Sequence, residues 1–409
     1  MSRILVIGGG VVGLSCAIAL ARGGHAVTVL EPDTGRAAAS WGNAGHIATE
    51  QVAPLASPET LLSAWRRRFA AGGAMDLPLR QAPHWLPFAL RFVNAASRDG
   101  FEDGCAALRP LLAAALPAWK RLAETIGRSD LLKCDGHLVA WESTASAVRG
   151  MAAWAAADTG TAHMLPASED DLAAIRGVTN VPVAGAVRFA GTAQIADPGQ
   201  LADALEAALL AAGGRILRER GEVAVRAGQA LVPGQEADFV LVCAGARSAP
   251  LVAPAGLSAP LIAERGYHIR ADAAHWPADM PPLVFEDRSM IVTRYATQAQ
   301  AASFVEFGSV DAPPDPRKWA RLESHVVALG LPLSGPFTRW MGARPTLPDY
   351  LPAIGRAAEA PNLIYAFGHQ HLGLTLAAIT AELVAGLVAG DSPPVPLKPF
   401  DLDRFGGRR

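Results

Sequence analysis

Ile4-Leu5-Val6-Ile7-Gly8-Gly9-Gly10-Val11-Val12-Gly13, followed by Leu14, Ala17, Ile18 and Ala21 at helical spacing, decides the fold. A short apolar run rich in β-branched residues reads as a buried strand, the glycines as a turn and the periodic segment as a helix. Gly8 and Gly10 stand where the chain turns tightly and its backbone must approach a pyrophosphate, and Gly13 lets the helix pack closely on the strand. A phosphate placed there meets free N–H groups and the positive end of the helix dipole. Gly23-Gly24 closes the helix, and a second strand, Ala26-Val27-Thr28-Val29-Leu30, delivers Glu31. An acidic residue about 20 positions after the loop can accept both hydroxyls of an adenosine ribose. Strand, turn, helix, strand and acidic end together point to a bound dinucleotide. The competing reading, an export signal, fits Arg3 before an apolar run but not three glycines inside it, nor the want of a small-residue cleavage site.

The chain has 409 residues, 51% hydrophobic and 18% charged, enough for two domains around a large core. A net charge of −2 and no long basic block argue against a nucleic-acid partner. Cys16, Cys105, Cys134 and Cys243 show no C-x-x-C spacing, which gives neither a metal site nor a disulfide framework and suits a reducing cytoplasm. The most apolar late stretch, 374–390, is broken by Glu382, short of the roughly 18 to 20 uninterrupted apolar residues of a membrane span. The expected location is the cytoplasm.

Ser40-Trp41-Gly42-Asn43-Ala44-Gly45-His46 is a small-residue loop able to lie against a flat ring, or an ordinary surface loop. Ser57-Pro58-Glu59 predicts a capped helix start, with Leu61, Leu62, Trp65 and Phe69 sharing one face. Arg66-Arg67-Arg68 beside that face, with Trp85, Phe88 and Phe92 further on, reads either as a solvated helix surface or as peripheral contact with a membrane on its cytoplasmic side. From 136 to 141 the period becomes two, a strand of a second, mainly antiparallel sheet. Asp197-Pro198-Gly199-Gln200 predicts a capping box opening a helix, and 215–217 and 222–225 read as short strands. Phe239-Val240-Leu241-Val242-Cys243-Ala244-Gly245 repeats the buried strand and glycine turn of the opening. Strands follow over 261–269, 290–295 and 303–308, with the polar cluster Glu264-Arg265-Gly266-Tyr267-His268 inside the first. Residues 362–367 form one more buried strand, ending in Gly368-His369-Gln370-His371-Leu372-Gly373 before a last helix over 374–389.

Four of these patches together resemble the FAD-dependent D-amino acid oxidase and dehydrogenase superfamily: the Gly8-to-Glu31 fingerprint, the Ser40–Gly45 loop, Gly342-Ala343-Arg344-Pro345…Asp349…Pro352…Gly355, and Gly368-His369…Gly373-Leu374-Thr375. Within it, 264–268 and 368–375 look most like bacterial D-amino acid dehydrogenases, more the D-hydroxyproline branch than the D-alanine branch.

The resemblance implies an α/β, two-domain architecture in which both domains are discontinuous. A Rossmann-like FAD-binding domain would take residues 1–50, 100–130, 190–255 and 340–409. A mainly antiparallel β-sheet substrate domain would take 51–99, 131–189 and 256–339. Gly8, Gly10, Val12 and Gly13 would meet the pyrophosphate and Glu31 the ribose. Ser40, Asn43, Ala44, Gly45 and His46 would lie along the flavin, Val223 near adenine, and Ala244 and Gly245 over the pyrophosphate or ribityl chain. Gly342, Gly368, His369, Gly373, Leu374 and Thr375 would complete the flavin site, with a helix N-terminus at the edge where reduced flavin gathers negative charge.

Arg344 would grip the substrate carboxylate, or else form a structural ion pair, with Asp349 the nearest candidate. Tyr267 and His268 would line the pocket or be satisfied sheet residues. His371 stands where glycine-oxidase-like relatives carry arginine, which puts a second fixed cation in doubt. Relatives that bind flavin covalently carry a histidine at the place of Gly42, so noncovalent FAD is expected, with His46 the alternative linkage. The implied reaction is oxidation of a small-molecule D-amino or imino acid, D-proline or cis-4-hydroxy-D-proline foremost, by hydride transfer to the flavin. A quinone, a dye-type carrier or oxygen would take the electrons, and the chain is compatible with an oligomer. The rivals are a glycine or sarcosine type oxidase and an FAD-binding subunit of a hetero-oligomer.

Overall fold

The computed structural model describes residues 1–406; 407–409, with which the expected nucleotide domain ends, lie outside the described residues. The opening strand Arg3–Ile7 lies inside a six-stranded sheet. Across the sheet run Arg215–Leu217, Ala26–Leu30, Arg3–Ile7, Phe239–Val242, Leu363–Phe367 and Ala353–Arg356. The first five are parallel and the last antiparallel. Ile7 is level with Leu30 on one side and Val242 on the other, so Gly8, Glu31 and Cys243 leave the sheet along one edge. That carboxyl edge is where open parallel sheets bind ligands.

The helix Val11–Arg22 is buried along most of its length and packs on the last helix, Gly373–Ala389, which in turn packs on Arg98–Thr125. Leu14, Ile18, Leu111, Trp119, Leu376 and Leu383 meet in the core they share. The segment Gln370–Ala389 is long and apolar enough to cross a membrane, with mean hydropathy 2.0, but 61% of it is buried inside the protein, as a central core helix is. Glu382, which interrupts it, forms a two-pronged pair with Arg121.

A nine-stranded, mainly antiparallel sheet forms the second layer system. Its strand Ile262–Asp272 is flanked by Gln298–Gly308, which is longer than the expected 303–308, and by Thr338–Thr346, where no strand was expected. Thr338–Thr346 belongs to this sheet, which corrects the expectation that the chain from 340 onward goes with the parallel one.

Two local expectations also change. Ser57 does cap a helix, accepting from Thr60 N–H at 3.1 Å, but the helix ends at Ser63. Arg67 C=O then accepts from Met75 N–H at 2.8 Å, so the chain turns back, leaving Leu62 and Trp65 exposed and Phe69 alone buried. Asp197 caps its helix through Gly199 and Gln200 N–H, yet no reciprocal bond forms, because the Gln200 side chain accepts from Arg128.

Candidate active site

The turn after the opening strand is built so that nothing but glycine fits. Gly8 has φ +110°, and a Cβ on Gly13 would stand 1.9 Å from Gly8 O. Ser40 Oγ accepts from Val11 N–H at 3.1 Å, and Leu14 N–H is the first to reach an intrahelical acceptor, Gly10 O at 2.9 Å. Val12 and Gly13 N–H therefore have no acceptor among the described residues, the condition of an anion-binding helix start. Glu31 is held by Gly9 N–H at 2.7 Å on one oxygen and Asp33 N–H at 2.9 Å on the other, and each oxygen keeps a lone pair for a ribose hydroxyl. Val223 packs in the cluster of Leu5, Ile7 and Leu30, and Ala244 crowds Gly8 so closely that a Cβ there would lie 2.9 Å from its Cα. Gly245, at φ +56°, opens the next turn. This edge fits a dinucleotide.

The 40–46 loop is fixed by its own backbone. Asn43 Oδ1 accepts from Gly45 N–H at 2.8 Å, Asn43 C=O accepts from Tyr295 O–H at 2.7 Å, and Gly42 C=O pairs with His268 Nδ1 at 3.0 Å. Past the loop, Ala48 N–H donates to Thr375 Oγ1 at 2.9 Å, tying it to the first turn of the last helix, where Gly373, Leu374 and Thr375 lie. Gly368, at φ +77°, makes the preceding turn against Leu347. His369 bonds Thr380 at 3.0 Å and burial pushes it down to about 3, so its ring belongs to the core and its backbone is the part that faces the turn.

The substrate-side residues follow from strand register. Ile262–Asp272 and Thr338–Thr346 pair so that Glu264 faces Arg344, Gly266 faces Gly342 and His268 faces Trp340. Side chains alternate along a strand, so these three rows share one face. Arg344 Nη1 meets Glu264 at 3.1 Å, and its Nε and Nη2 have no acceptor among the described residues. The guanidinium lies over Gly266, where a Cβ would stand 2.5 Å from Nη2. The Trp340 indole stacks on His268 with ring centroids 4.9 Å apart and fills the space over Gly342 and Gly42. Burial, then the charge of Arg270, pushes His268 down to about 3, leaving a neutral ring.

Alternation also removes one expected residue. Tyr267 faces the other way, into the core with Trp319, and its hydroxyl joins Glu306, Arg265 and Asp315 N–H beside the buried Lys318. Tyr267 and His268 cannot both line one pocket; His268 is on the site face. The alternative partner considered for Arg344 is engaged elsewhere: Asp349 pairs with Arg404 at 2.6 Å. Glu264, 1% exposed, takes its place and also accepts from the hydroxyls of Thr346 and Tyr350. His371 bonds Gln51, and burial foremost pushes it down to about 4.

Glu50, Gln51 and Trp340 were not singled out from the sequence, and Glu264 was noted only within its polar cluster, without its pairing to Arg344. Glu50 is 3% exposed and bonds His46 at 3.0 Å. Burial would raise its carboxyl, but the charge and hydrogen bond of His46, with His137, bring it to about 2. An acidic residue inside the otherwise uncharged run Ile47-Ala48-Thr49-Glu50-Gln51-Val52 was the available signal.

A family model described as FAD dependent oxidoreductase, DAO, matches residues 3–387. A D-amino-acid oxidase of Bradyrhizobium diazoefficiens is 32% identical over 98% of this chain and 99% of its own. A D-amino acid dehydrogenase 2 of Pseudomonas aeruginosa is 31% identical over 96% of each. Glycine oxidase from Geobacillus kaustophilus shares the fold at TM-score 0.71 and 22% identity, over 99% of each chain. A match of that extent, on a chain whose glycine turn, Glu31 and carboxyl edge fit a dinucleotide, makes this protein a member of the DAO family of FAD-dependent oxidoreductases.

Proposed function

We propose that the protein oxidises D-amino acids or cyclic D-imino acids, D-proline and cis-4-hydroxy-D-proline foremost, on noncovalently held FAD. The observation that carries the reading is Arg344, pinned by one nitrogen to Glu264 with the rest of its fork free among the described residues, on the strand face that meets the 40–46 loop. A guanidinium with an open edge takes a carboxylate in two parallel hydrogen bonds. The names of the full-length relatives, an oxidase and a dehydrogenase of D-amino acids, support the substrate class. His371, neutral and bonded to Gln51, adds no second cation, which suits a substrate with a single carboxylate. Gly266 and Gly342 make room for the Arg344 guanidinium and the Trp340 indole, which puts an aromatic ring on the same strand face as the open fork and suits a compact ring.

In this reading the parallel sheet and its helices carry the dinucleotide. Gly8, Gly10, Val12 and Gly13 would hold its pyrophosphate, Glu31 its ribose, and the 40–46 loop with Gly373–Thr375 its flavin. Acceptance of a hydride from the substrate α-carbon is the chemistry that bound FAD supplies. Arg344 fixes the carboxylate, and so sets which face of the α-carbon is presented; Trp340 and His268 keep water from that space. Gly42 offers no side chain for a covalent link, and a Cβ there would lie 2.4 Å from the Trp340 ring.

The test is an anaerobic visible spectrum of the FAD-loaded protein before and after D-proline, cis-4-hydroxy-D-proline, D-alanine, glycine, sarcosine and the L-enantiomers. Bleaching by the cyclic D-acids first is the expected result. Bleaching by glycine or sarcosine alone would replace the substrate assignment, and none at all would remove it.

The electron acceptor is proposed on a surface. Leu62, Trp65, Leu79, Leu86, Leu90 and Val93 are exposed close together in sequence, the last three on one face of the helix Ala82–Ala95, among Arg66, Arg67, Arg68, Arg80 and Arg91. Apolar side chains among cations suit an anionic lipid surface, where a quinone would be within reach. Sedimentation with phosphatidylglycerol vesicles, weakened at high salt and absent with phosphatidylcholine, is expected. A Trp65→Ser, Leu90→Ser variant should lose it; unchanged sedimentation would leave oxygen or a soluble carrier as the acceptor.

A further inference from the structure

We propose that Tyr350 and Thr346 are positioning residues for the substrate carboxylate: by occupying the second oxygen of Glu264 they stop that side chain from closing on both prongs of Arg344. The fork of Arg344 is thereby kept open. Both hydroxyls act only through Arg344, so their role rests on the carboxylate binding proposed for it above.

An arginine and a carboxylate with nothing between them close in two parallel hydrogen bonds. This chain does so repeatedly. Arg121 meets Glu382 in two bonds of 2.8 Å, Arg128 meets Asp130 at the same two distances, and Arg288 meets Glu142 at 2.6 and 2.7 Å. Arg344 and Glu264 depart from that pattern with a single bond, Nη1 to Oε1 at 3.1 Å. The other oxygen, Oε2, accepts from the Thr346 hydroxyl at 3.0 Å and from the Tyr350 hydroxyl at 3.1 Å. Two donors use the two lone pairs of that oxygen, and a second guanidinium N–H has no place on it. Nε and Nη2 of Arg344, without an acceptor among the described residues, remain for a ligand.

The two hydroxyls reach Glu264 by different routes. Thr346 is fully buried and stands two residues after Arg344 on one strand, hence on the same face. Tyr350 comes from the turn beyond that strand. It lies at φ +58°, and its C=O accepts at 2.9 Å from the amide of Gln370, itself at φ +45°. Left-handed backbone is costly for residues other than glycine and persists where the surroundings over-determine it, often at functional sites. Here it delivers a hydroxyl to Glu264. The Tyr350 ring is held edge-on to Phe92, centroids 5.8 Å apart. Burial, then the charge of Glu264, pushes the phenol well up, so its hydroxyl stays a donor.

Without the two hydroxyls the fork would turn onto both oxygens of Glu264. A substrate carboxylate would then have to break that pair before binding. Affinity falls, while the chemical step on bound substrate is untouched.

The experiment is anaerobic stopped-flow reduction of the FAD-loaded full-length protein by whichever D-acid bleaches wild type fastest. It yields a limiting rate and a half-saturating concentration. Tyr350→Phe combined with Thr346→Val nearly keeps both side-chain shapes and removes both hydroxyls. Half-saturation should rise about tenfold, the weight of one hydrogen bond to a charged group, with the limiting rate within about twofold of wild type. Adding Glu264→Gln should bring half-saturation back toward wild type, because an amide has one oxygen and cannot offer the second prong. Structural damage would grow with a third substitution and not reverse.

Tyr350→Phe alone keeps the ring against Phe92 and decides the matter if the combined variants lose flavin; a smaller rise in half-saturation is its expected result. Thr346→Ser, which retains a hydroxyl, should match wild type. Half-saturation that does not move, or a rise that Glu264→Gln fails to reverse, would overturn the positioning role if Arg344→Lys does raise it. If Arg344→Lys leaves half-saturation unchanged too, the carboxylate reading of Arg344 falls and the role of Tyr350 and Thr346 falls with it.

Discussion

Arg344→Lys is expected to lower kcat/KM for D-amino acids by about 10 to 100-fold, mainly through KM, while flavin content and melting temperature stay near wild type. Lysine keeps the charge but presents no planar fork. Losing one of two hydrogen bonds to a carboxylate costs about 1.5 to 3 kcal/mol, and each 1.4 kcal/mol is a decade. Arg344→Ala is the poorer probe because of Glu264. That carboxylate is 1% exposed and would keep only the hydroxyls of Thr346 and Tyr350. Leaving a buried charge without its partner costs about 3 to 5 kcal/mol, and toward the lower end here because Arg344 is 28% exposed. Alanine would thus confound binding with folding, and lysine separates them. Steady-state kinetics on a series of D-acids, with the visible flavin spectrum and a thermal melt, make the measurement; an unchanged KM would withdraw Arg344 from the carboxylate.

The need for that control shows which parts of the site were legible in the chain. The glycine turn and Glu31 were readable because the whole unit is local. Its strand, turn and helix lie within Arg3–Arg22, and the second strand follows at once. The partner of Arg344 was not, since Glu264 reaches it only through the pairing of two strands 80 positions apart in sequence. Asp349, much nearer along the chain, is drawn off by Arg404 from the C-terminal segment. Sequence proximity favoured the wrong carboxylate, and register decided.

Tyr267 and His268 carry the same lesson inside one strand. Adjacent residues there point to opposite faces, so at most one could line the pocket, and the choice depends on which face meets the 40–46 loop. The His268 bond to Gly42 puts His268 on the face that meets the loop, and the Arg344 guanidinium, lying over Gly266, is on the same face. Glu50 escaped notice for another reason. It pairs with His46 outside any helix, and its other neighbour, His137, comes from the second sheet. A buried carboxylate of this kind is visible only after two sheets have been brought together.

Gly13→Ala is expected to yield a protein without flavin. The added methyl would stand 1.9 Å from Gly8 O and 3.3 Å from the Cys243 side chain, and neither the carbonyl nor the buried thiol can turn aside. Gly8 is itself fixed, at φ +110° with its N–H on Leu30 O at 2.9 Å. Relief requires the helix Val11–Arg22 to lift from the turn, yet that helix is wedged against Gly373–Ala389 through Leu14 and Ile18. The movement would carry Val12 and Gly13 N–H away from the phosphate they are placed to meet, and a shift of about 1 Å is enough to spoil such a constellation. With the cofactor gone, its linked stabilisation goes as well, about 2.7 kcal/mol at a hundredfold excess over Kd. The thermal melt should therefore fall together with the visible absorbance, and added FAD should restore neither. Gly177→Ala is the matched control, since a Cβ there meets nothing within 4 Å and the same methyl should leave the protein yellow. A Gly13→Ala protein as yellow as wild type would mean that the pyrophosphate does not lie on this turn.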